Sequence, residues 1–332
     1  MTCCRAAGLL ELKEMQVALR NRGLPPSSCQ CGGDALSAAM AIGFLKKLGD
    51  LFKDSRLDVA ERFDLLREAV SGTMSSFYVA RDRTTGKVVG LKILDPEKYT
   101  AFEARFKGLR KPWEGEIAML MKHPRIVETY EVGMTKDGRR YLIMEYVEGQ
   151  GLHVVLKNQN SFLDGKRLNL LRQMTEAIEA VHKAGFIHRD ICPRNFIVSH
   201  DASSIKLIDF GLSLPIRPEF MQPGNRTGTP LYMAPEIVRR KPTDLRVDIF
   251  SLGVTAYQMW SFDFPWPSND PTGTGALQHD SREPTPITEL VPNINRTVAR
   301  TIMQCIQADP NNRPESATAV LKMLKQASGD TN

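Results

Sequence analysis

A change of hydrophobic period near the middle of the chain limits its fold more than any other feature. Apolar residues fall in short alternating runs over residues 63–70, 76–81 and 87–94, and again over 127–133 and 140–146. A side-chain period of two is the signature of half-buried strands. Thr84-Thr85-Gly86 supplies a turn before the third run, and a helical stretch ending near Lys122 separates the third from the fourth. From Gly151 onward the apolar residues recur every three to four positions, over 161–184, 245–260, 297–307 and 315–326. The order predicts an α+β chain: a small antiparallel sheet with one helix, then a mainly α-helical part. Residues 263–286 are rich in Pro, Ser, Thr and Gly and read as a long surface loop.

Residues 1–61 follow a different pattern. Leu9, Leu12, Met15 and Leu19 recur at helical spacing, as do Leu36, Met40, Phe44 and Leu48, with the breaker run from Gly23 to Ser28 between them. They read as a helical extension of unknown role, able to offer a partner-binding arm. The division expected is 1–61 extension, 62–326 main domain and 327–332 short tail. A hydrophobic share of 42%, a charged share of 25% and a net charge of +6 over 332 residues are those of a globular chain, not of a basic nucleic-acid binder. The six cysteines are too sparse for a disulfide framework, and Cys3-Cys4 and Cys29-Gln30-Cys31 lack the spacing of a zinc knuckle. No run of about 18 apolar residues occurs, so no membrane span is expected. Glu11 interrupts the one short apolar stretch at the N-terminus, so no signal peptide is read there. Together these point to the cytoplasm.

Three short motifs carry chemistry. His188-Arg189-Asp190-Ile191-Cys192-Pro193-Arg194-Asn195 sets an Asn five positions after an Asp. Asp209-Phe210-Gly211 follows the apolar pair Leu207-Ile208, and Ala234-Pro235-Glu236 comes later. Each triplet alone occurs by chance; their order and spacing do not. Hard cations need oxygen ligands, which Asn195 and Asp209 supply from neighbouring loops. A hydroxyl nucleophile needs an acceptor to orient it, and Asp190 is suited to that.

This set resembles the eukaryotic-type (Hanks-type) protein kinase family, in wording closest to its bacterial Ser/Thr members, over about residues 63–325. The resemblance implies a bilobal protein-kinase-like fold and transfer of the γ-phosphoryl of ATP to Ser/Thr hydroxyls of a protein substrate, with Mg2+. It implies Asp190 as the catalytic acceptor and Asn195 and Asp209 as metal ligands. Val89-Gly90-Leu91-Lys92 resembles the family's third-strand motif, making Lys92 the phosphate-binding lysine. Its helical partner is Glu114, which keeps the spacing to His123-Pro124, in preference to Glu116. Met144 takes the gatekeeper position. The backbone of Glu145 and Val147 would meet adenine, with Gly90 and Ile197 above and below it. Gly228-Thr229-Pro230 resembles Ser/Thr kinases rather than tyrosine kinases, placing Thr229 near Asp190. Thr227 is the nearest candidate for activation-loop phosphorylation, since Asn225 holds the family's usual position. Asp248 and Arg313 match the residues that anchor the catalytic loop and pair with Glu236.

Two departures stand out. The three glycine positions of the phosphate loop fall on Val70, Gly72 and Ser75, so only Gly72 survives, 20 residues before Lys92. Cys192 stands where most Ser/Thr kinases carry a lysine, and Arg194 is the nearest replacement cation. The alternative reading is a pseudokinase or weakly active scaffold. A small-molecule kinase is disfavoured by the Ala234-Pro235-Glu236 segment and the Asp248 helix.

Overall fold

The computed structural model describes residues 56–71, 75–158, 161–224, 226–266 and 275–331. The two helices read in residues 1–55, the cysteine pairs there, Gly72, Asn225 and the middle of the 263–286 segment lie outside the described residues. The described residues belong to one compact unit, Asp54–Asn332.

The unit opens with a short helix α1 (Val59–Arg62), capped by Asp58 accepting from the Glu61 amide. Five antiparallel strands then form the first lobe: β1 (Phe63–Ser71), β2 (Ser75–Asp82), β3 (Val88–Leu94), β4 (Thr129–Met134) and β5 (Arg140–Glu145), in the order β1-β2-β3-β5-β4. The alternation read from the sequence becomes two faces. Val89, Leu91, Ile93, Ala80, Tyr141 and Ile143 form an outer cluster with Phe63. Gly90 and Lys92 therefore point the other way, toward the main core.

Two findings differ from the sequence reading. Residues 56–61, read as the end of the extension, pack on this sheet: Leu57 bridges Thr135 and joins the outer cluster, and Asp58 pairs with Lys136 just beyond β4. The single helical stretch before Lys122 is two helices, α2 (Pro96–Glu103) and α3 (Glu114–Leu120), with a 3-10 turn, Ala104–Phe106, after the first. Gly108 sits between them at φ 86°, and Pro112 follows it. A left-handed residue and a missing amide donor both end helices.

The second lobe is mainly helical. Its small strands are β6 (Gln150–Gly151), β7 (Phe186–Ile187), β8 (Phe196–Val198), β9 (Ile205–Leu207) and β10 (Leu214–Pro215). Its helices are α4 (Leu152–Lys157), α5 (Arg167–Lys183), α6 (Pro235–Val238), α7 (Arg246–Ser261), α8 (Ile287–Leu290), α9 (Arg296–Cys305) and α10 (Ala317–Leu324). In α5, Leu171, Met174, Ile178 and Val181 line one buried face at three- and four-residue steps. Helix α7 is buried almost all round and runs through the centre of the lobe. Each fully buried large side chain such as Phe250 contributes roughly 2–3 kcal/mol of transfer free energy.

The 263–286 segment is more than a surface loop. Residues Gly275–Asp280 form a 3-10 helix that buries Ala276 and His279, and the His279 ring lies 4.4 Å from Trp266, centre to centre. The last residues are also built in: buried Asp330 accepts from the amides of Arg167 and Leu168 and so starts α5. Among the described residues no helix is long and apolar enough to cross a membrane.

Candidate active site

The site lies where the two lobes meet. Strand β3 presents Lys92 on its inner face, and α3 presents Glu114 from its first turn. The Lys92 ammonium meets Glu114 Oε1 and, at 3.1 Å, Asp209 Oδ1. Glu116 does something else: its carboxylate accepts from the Trp113 amide at 2.9 Å and caps α3. Burial works against the Lys92 charge, but Asp209 and Glu114 more than offset it and hold its pKa above the ordinary lysine value. Burial raises the Glu114 carboxyl, opposed by Lys92. Burial also opposes ionisation of Asp209, yet Lys92 and the Gly211 amide outweigh it and keep that carboxyl below its usual value. The outcome is a fixed cation between two carboxylates, with the Asp209 side chain still 41% exposed on its open side.

The loop after β7 carries His188, Arg189 and Asp190. Arg189 adopts φ 68°, a left-handed backbone that costs a residue with a Cβ of order 1 kcal/mol. Asp248, fully buried on α7, holds this turn. Its carboxylate accepts the amides of His188 and Arg189 at 2.8 Å each and contacts His182 Nε2 at 2.9 Å. Phe210 packs edge-on to His188, ring centres 5.4 Å apart.

Asp190 is held from two sides. Asn195 Nδ2 donates to its Oδ2 at 2.9 Å and to its carbonyl at 2.7 Å. The Thr229 amide and hydroxyl both donate to its Oδ1 at 2.8 Å. Gly228 makes that approach possible: at φ 130°, a Cβ there would stand 2.8 Å from the Arg189 carbonyl. The Ile208 amide donates to the Asn195 carbonyl at 3.0 Å, which ties the loop bearing Asp209 to the one bearing Asn195. Because Asn195 spends its NH2 on Asp190, its amide oxygen is left to face a ligand. Asn195 and Asp209 thus offer one neutral and one charged oxygen, a donor set suited to a hard cation such as Mg2+.

Cys192 is buried beside Asp190. Burial, with Asp190 adding to it, pushes its thiol up to about 12, so it carries no charge at neutral pH. The Thr229 hydroxyl lies 3.5 Å from its sulfur. Arg194 is exposed and forms no ion pair among the described residues. Its charge reaches His153, where it adds to burial in lowering the imidazole pKa.

The remaining sequence candidates line the cleft. Met144 is buried on the inner face of β5, opposite Gly90. The Glu145 amide is already taken by the Glu128 carbonyl at 2.8 Å, so only its carbonyl remains for a base; its side chain pairs with Lys206. The Val147 amide has no backbone acceptor among the described residues. Ile197 is half-buried on β8, Ser75 is half-buried opposite Leu94, and the Val70 backbone pairs with Phe77. Thr227 is buried, which closes its hydroxyl to a modifying enzyme in this arrangement.

The platform below is anchored by a buried pair. Arg313 donates to Glu236 at 2.7 and 2.8 Å, and its other donors reach the carbonyls of Gln307, Arg246 and Ala308. His279 Nδ1 lies 2.9 Å from the Met233 carbonyl, which can only accept, so this nitrogen carries the proton. A separate cluster of Phe102, Phe106, Leu214 and Phe220 packs α2 against the segment after Asp209. Residue counting missed His279, whose signal was hidden in a loop-like composition.

Residues 64–324 match the protein kinase domain family. The chain belongs to that family. Two serine/threonine-protein kinases of Myxococcus xanthus are each 32% identical, over 75% and 80% of this chain. A probable serine/threonine-protein kinase of Clostridium perfringens is 30% identical over 82% of it. The match covers 46%, 32% and 39% of those relatives, so the chain spans less than half the length of these curated proteins.

Proposed function

We propose that this chain is a protein serine/threonine kinase that transfers the γ-phosphoryl of ATP to protein hydroxyls. The observation that carries the reading is the convergence of two assembled groups: Lys92 held by Glu114 and Asp209, and Asp190 held by Asn195 and Thr229. Lys92 binds the α- and β-phosphates, kept rigid and charged by its carboxylates. Asn195 and Asp209 hold Mg2+, which when bound neutralises phosphate charge. Asp190 orients the substrate hydroxyl and accepts its proton. Met144, Glu145, Val147 and Ile197 bound the adenine slot, and Val70 and Ser75 flank the segment that the sequence assigns to the phosphates. The neutral Cys192 cannot serve as a cation, so Arg194 supplies that charge. The double donation from Thr229 to Asp190 supports a Ser/Thr rather than a Tyr acceptor.

The test is transfer of label from ATP in the presence of Mg2+, to the protein itself or to a generic protein acceptor, followed by phosphoamino-acid analysis. Phosphoserine or phosphothreonine is expected. Phosphotyrosine alone would overturn the class of acceptor. ATP binding without any transfer would favour the scaffold reading.

A further inference from the structure

The segment after Asp209 offers no free hydroxyl to a modifying enzyme. Between Asp209 and Glu236 the hydroxyl side chains are Ser213, Thr227, Thr229 and Tyr232, and residues 216–226 carry none. Ser213 is buried and donates to the His188 carbonyl at 3.4 Å. Thr227 is buried. Thr229 donates to Asp190 at 2.8 Å, and Tyr232 donates to Gln258 Oε1 at 2.6 Å. The segment is nevertheless fastened. A 3-10 turn, Pro218–Phe220, turns Phe220 inward until it is 3% exposed. Its ring packs on Phe106, centres 6.0 Å apart, and Phe106 meets Phe102 edge-on at 5.4 Å. Leu214 completes the cluster and pairs with Ile187, just before the Asp190 loop. Lys111 closes the other side. Its ammonium lies 5.2 Å from the Phe102 ring centre and pairs with Glu103 at 2.9 Å. The Arg217 guanidinium lies 5.0 Å from the Phe220 ring centre and donates to the Arg110 carbonyl at 3.1 Å. Phe106, Arg110 and Lys111 belong to the stretch that leads into α3 and Glu114. The cluster thus ties the segment that brings Thr229 to Asp190 to the helix whose glutamate holds Lys92.

We infer that Phe220 is a positioning residue, whose ring does the work of a phosphate in fastening this segment to the approach of α3, and that transfer needs no phosphorylation of the segment. This rests on the kinase reading and adds its mode of control. A segment held by phosphate lets go when a phosphatase acts. One held by buried apolar area does not, since that term depends on the area removed from water and not on charge.

The test has two arms, both on the full chain. In the first, protein treated with a broad-specificity phosphatase is compared with untreated protein in label transfer from ATP to a generic protein acceptor, with mass spectrometry of residues 209–236 along the time course. A rate independent of the phosphate content of those residues, with no lag, is expected. A rate that follows that content overturns the inference. The second arm compares Phe220→Ala and Phe220→Leu with wild type, with thermal unfolding as the control for folding. Phe220→Ala is expected to lower kcat by about tenfold or more, because activity scales with the fraction of molecules in the competent arrangement. Adenosine affinity is expected to stay near wild type, and Phe220→Leu to restore most of kcat. A purely structural ring would lower the unfolding midpoint and leave kcat of the folded protein near wild type, and that result overturns the inference. If Phe220→Ala does not fold, the same readouts on Phe106→Ala take its place. A wild-type chain that transfers no label at any phosphorylation state overturns the kinase reading itself.

Discussion

Arg313→Met is the perturbation whose magnitude follows most directly from the structure. The Arg313 side chain is wholly inaccessible and Glu236 is 6% exposed. All five guanidinium hydrogens have acceptors: two on Glu236 and three on the carbonyls of Gln307, Arg246 and Ala308. Methionine fills similar volume but leaves the Glu236 carboxylate unpaired and three carbonyls without that donor. Breaking a buried pair on one side costs about 3–5 kcal/mol. Domain stabilities run roughly 5–15 kcal/mol, so the variant is expected to fold with a much lower urea midpoint. Replacing both partners by apolar residues removes the stranded charge. Glu236→Leu with Arg313→Met is therefore expected to lose less than Arg313→Met alone. Urea unfolding of the four proteins gives the cycle. A loss below about 1 kcal/mol for Arg313→Met, or a double variant worse than the single one by a full independent increment, would refute the reasoning.

Three other outcomes follow. Arg194→Ala is expected to lower kcat at least tenfold while KM for ATP moves less, as loss of a group acting mainly in the transition state requires; an unchanged kcat returns Arg194 to the solvent. Glu114→Gln is expected to reduce kcat/KM strongly, whereas Glu116→Ala costs about 1 kcal/mol of stability as a lost helix cap and leaves activity near wild type; steady-state assays of both decide which glutamate serves Lys92. His279 is buried, and burial lowers its pKa to about 4 from 6.5. Its unfolded form binds more protons below pH 6.5, so its contribution to stability falls as pH drops from 6.5 toward 4, by up to roughly 3 kcal/mol. His279→Gln is expected to flatten that part of the stability profile in denaturant unfolding, and an unchanged slope contradicts it.

Much of the site was readable because its chemistry is local. Asp190 and Asn195 sit in one loop, Asp209 opens a triplet, and Lys92 lies in a short apolar run that reads as a strand. Periodicity also located β1 to β5 and the long helices, since one face of each packs on the core. The misreadings have physical causes. The stretch before Lys122 carries helical residues on both sides of Gly108 and Pro112, so period alone merged two helices. The 263–286 segment has the composition of a loop, yet Trp266 and His279 pack on each other and on Phe250 of α7, a contact between separate elements. Leu57 looks like part of a leader because its partner, Thr135, is far along the chain.

The most direct test of the account is phosphoryl transfer by Asp190→Asn. Asparagine keeps the shape of the side chain and its oxygen can still accept from Thr229, although its NH2 then faces Asn195 Nδ2 and loses that hydrogen bond. The Thr229 contacts and the Asn195 bond to the residue-190 carbonyl are expected to keep the loop in place, and ATP is expected to bind with near wild-type affinity. What is lost is the carboxylate that orients the hydroxyl and takes its proton, a contribution on the order of 100- to 10,000-fold. Mg-dependent incorporation of label from ATP is predicted to fall by at least about 100-fold. Retention of more than about a tenth of wild-type activity in a folded, ATP-binding Asp190→Asn protein would contradict the role of Asp190 as the acceptor of the hydroxyl proton.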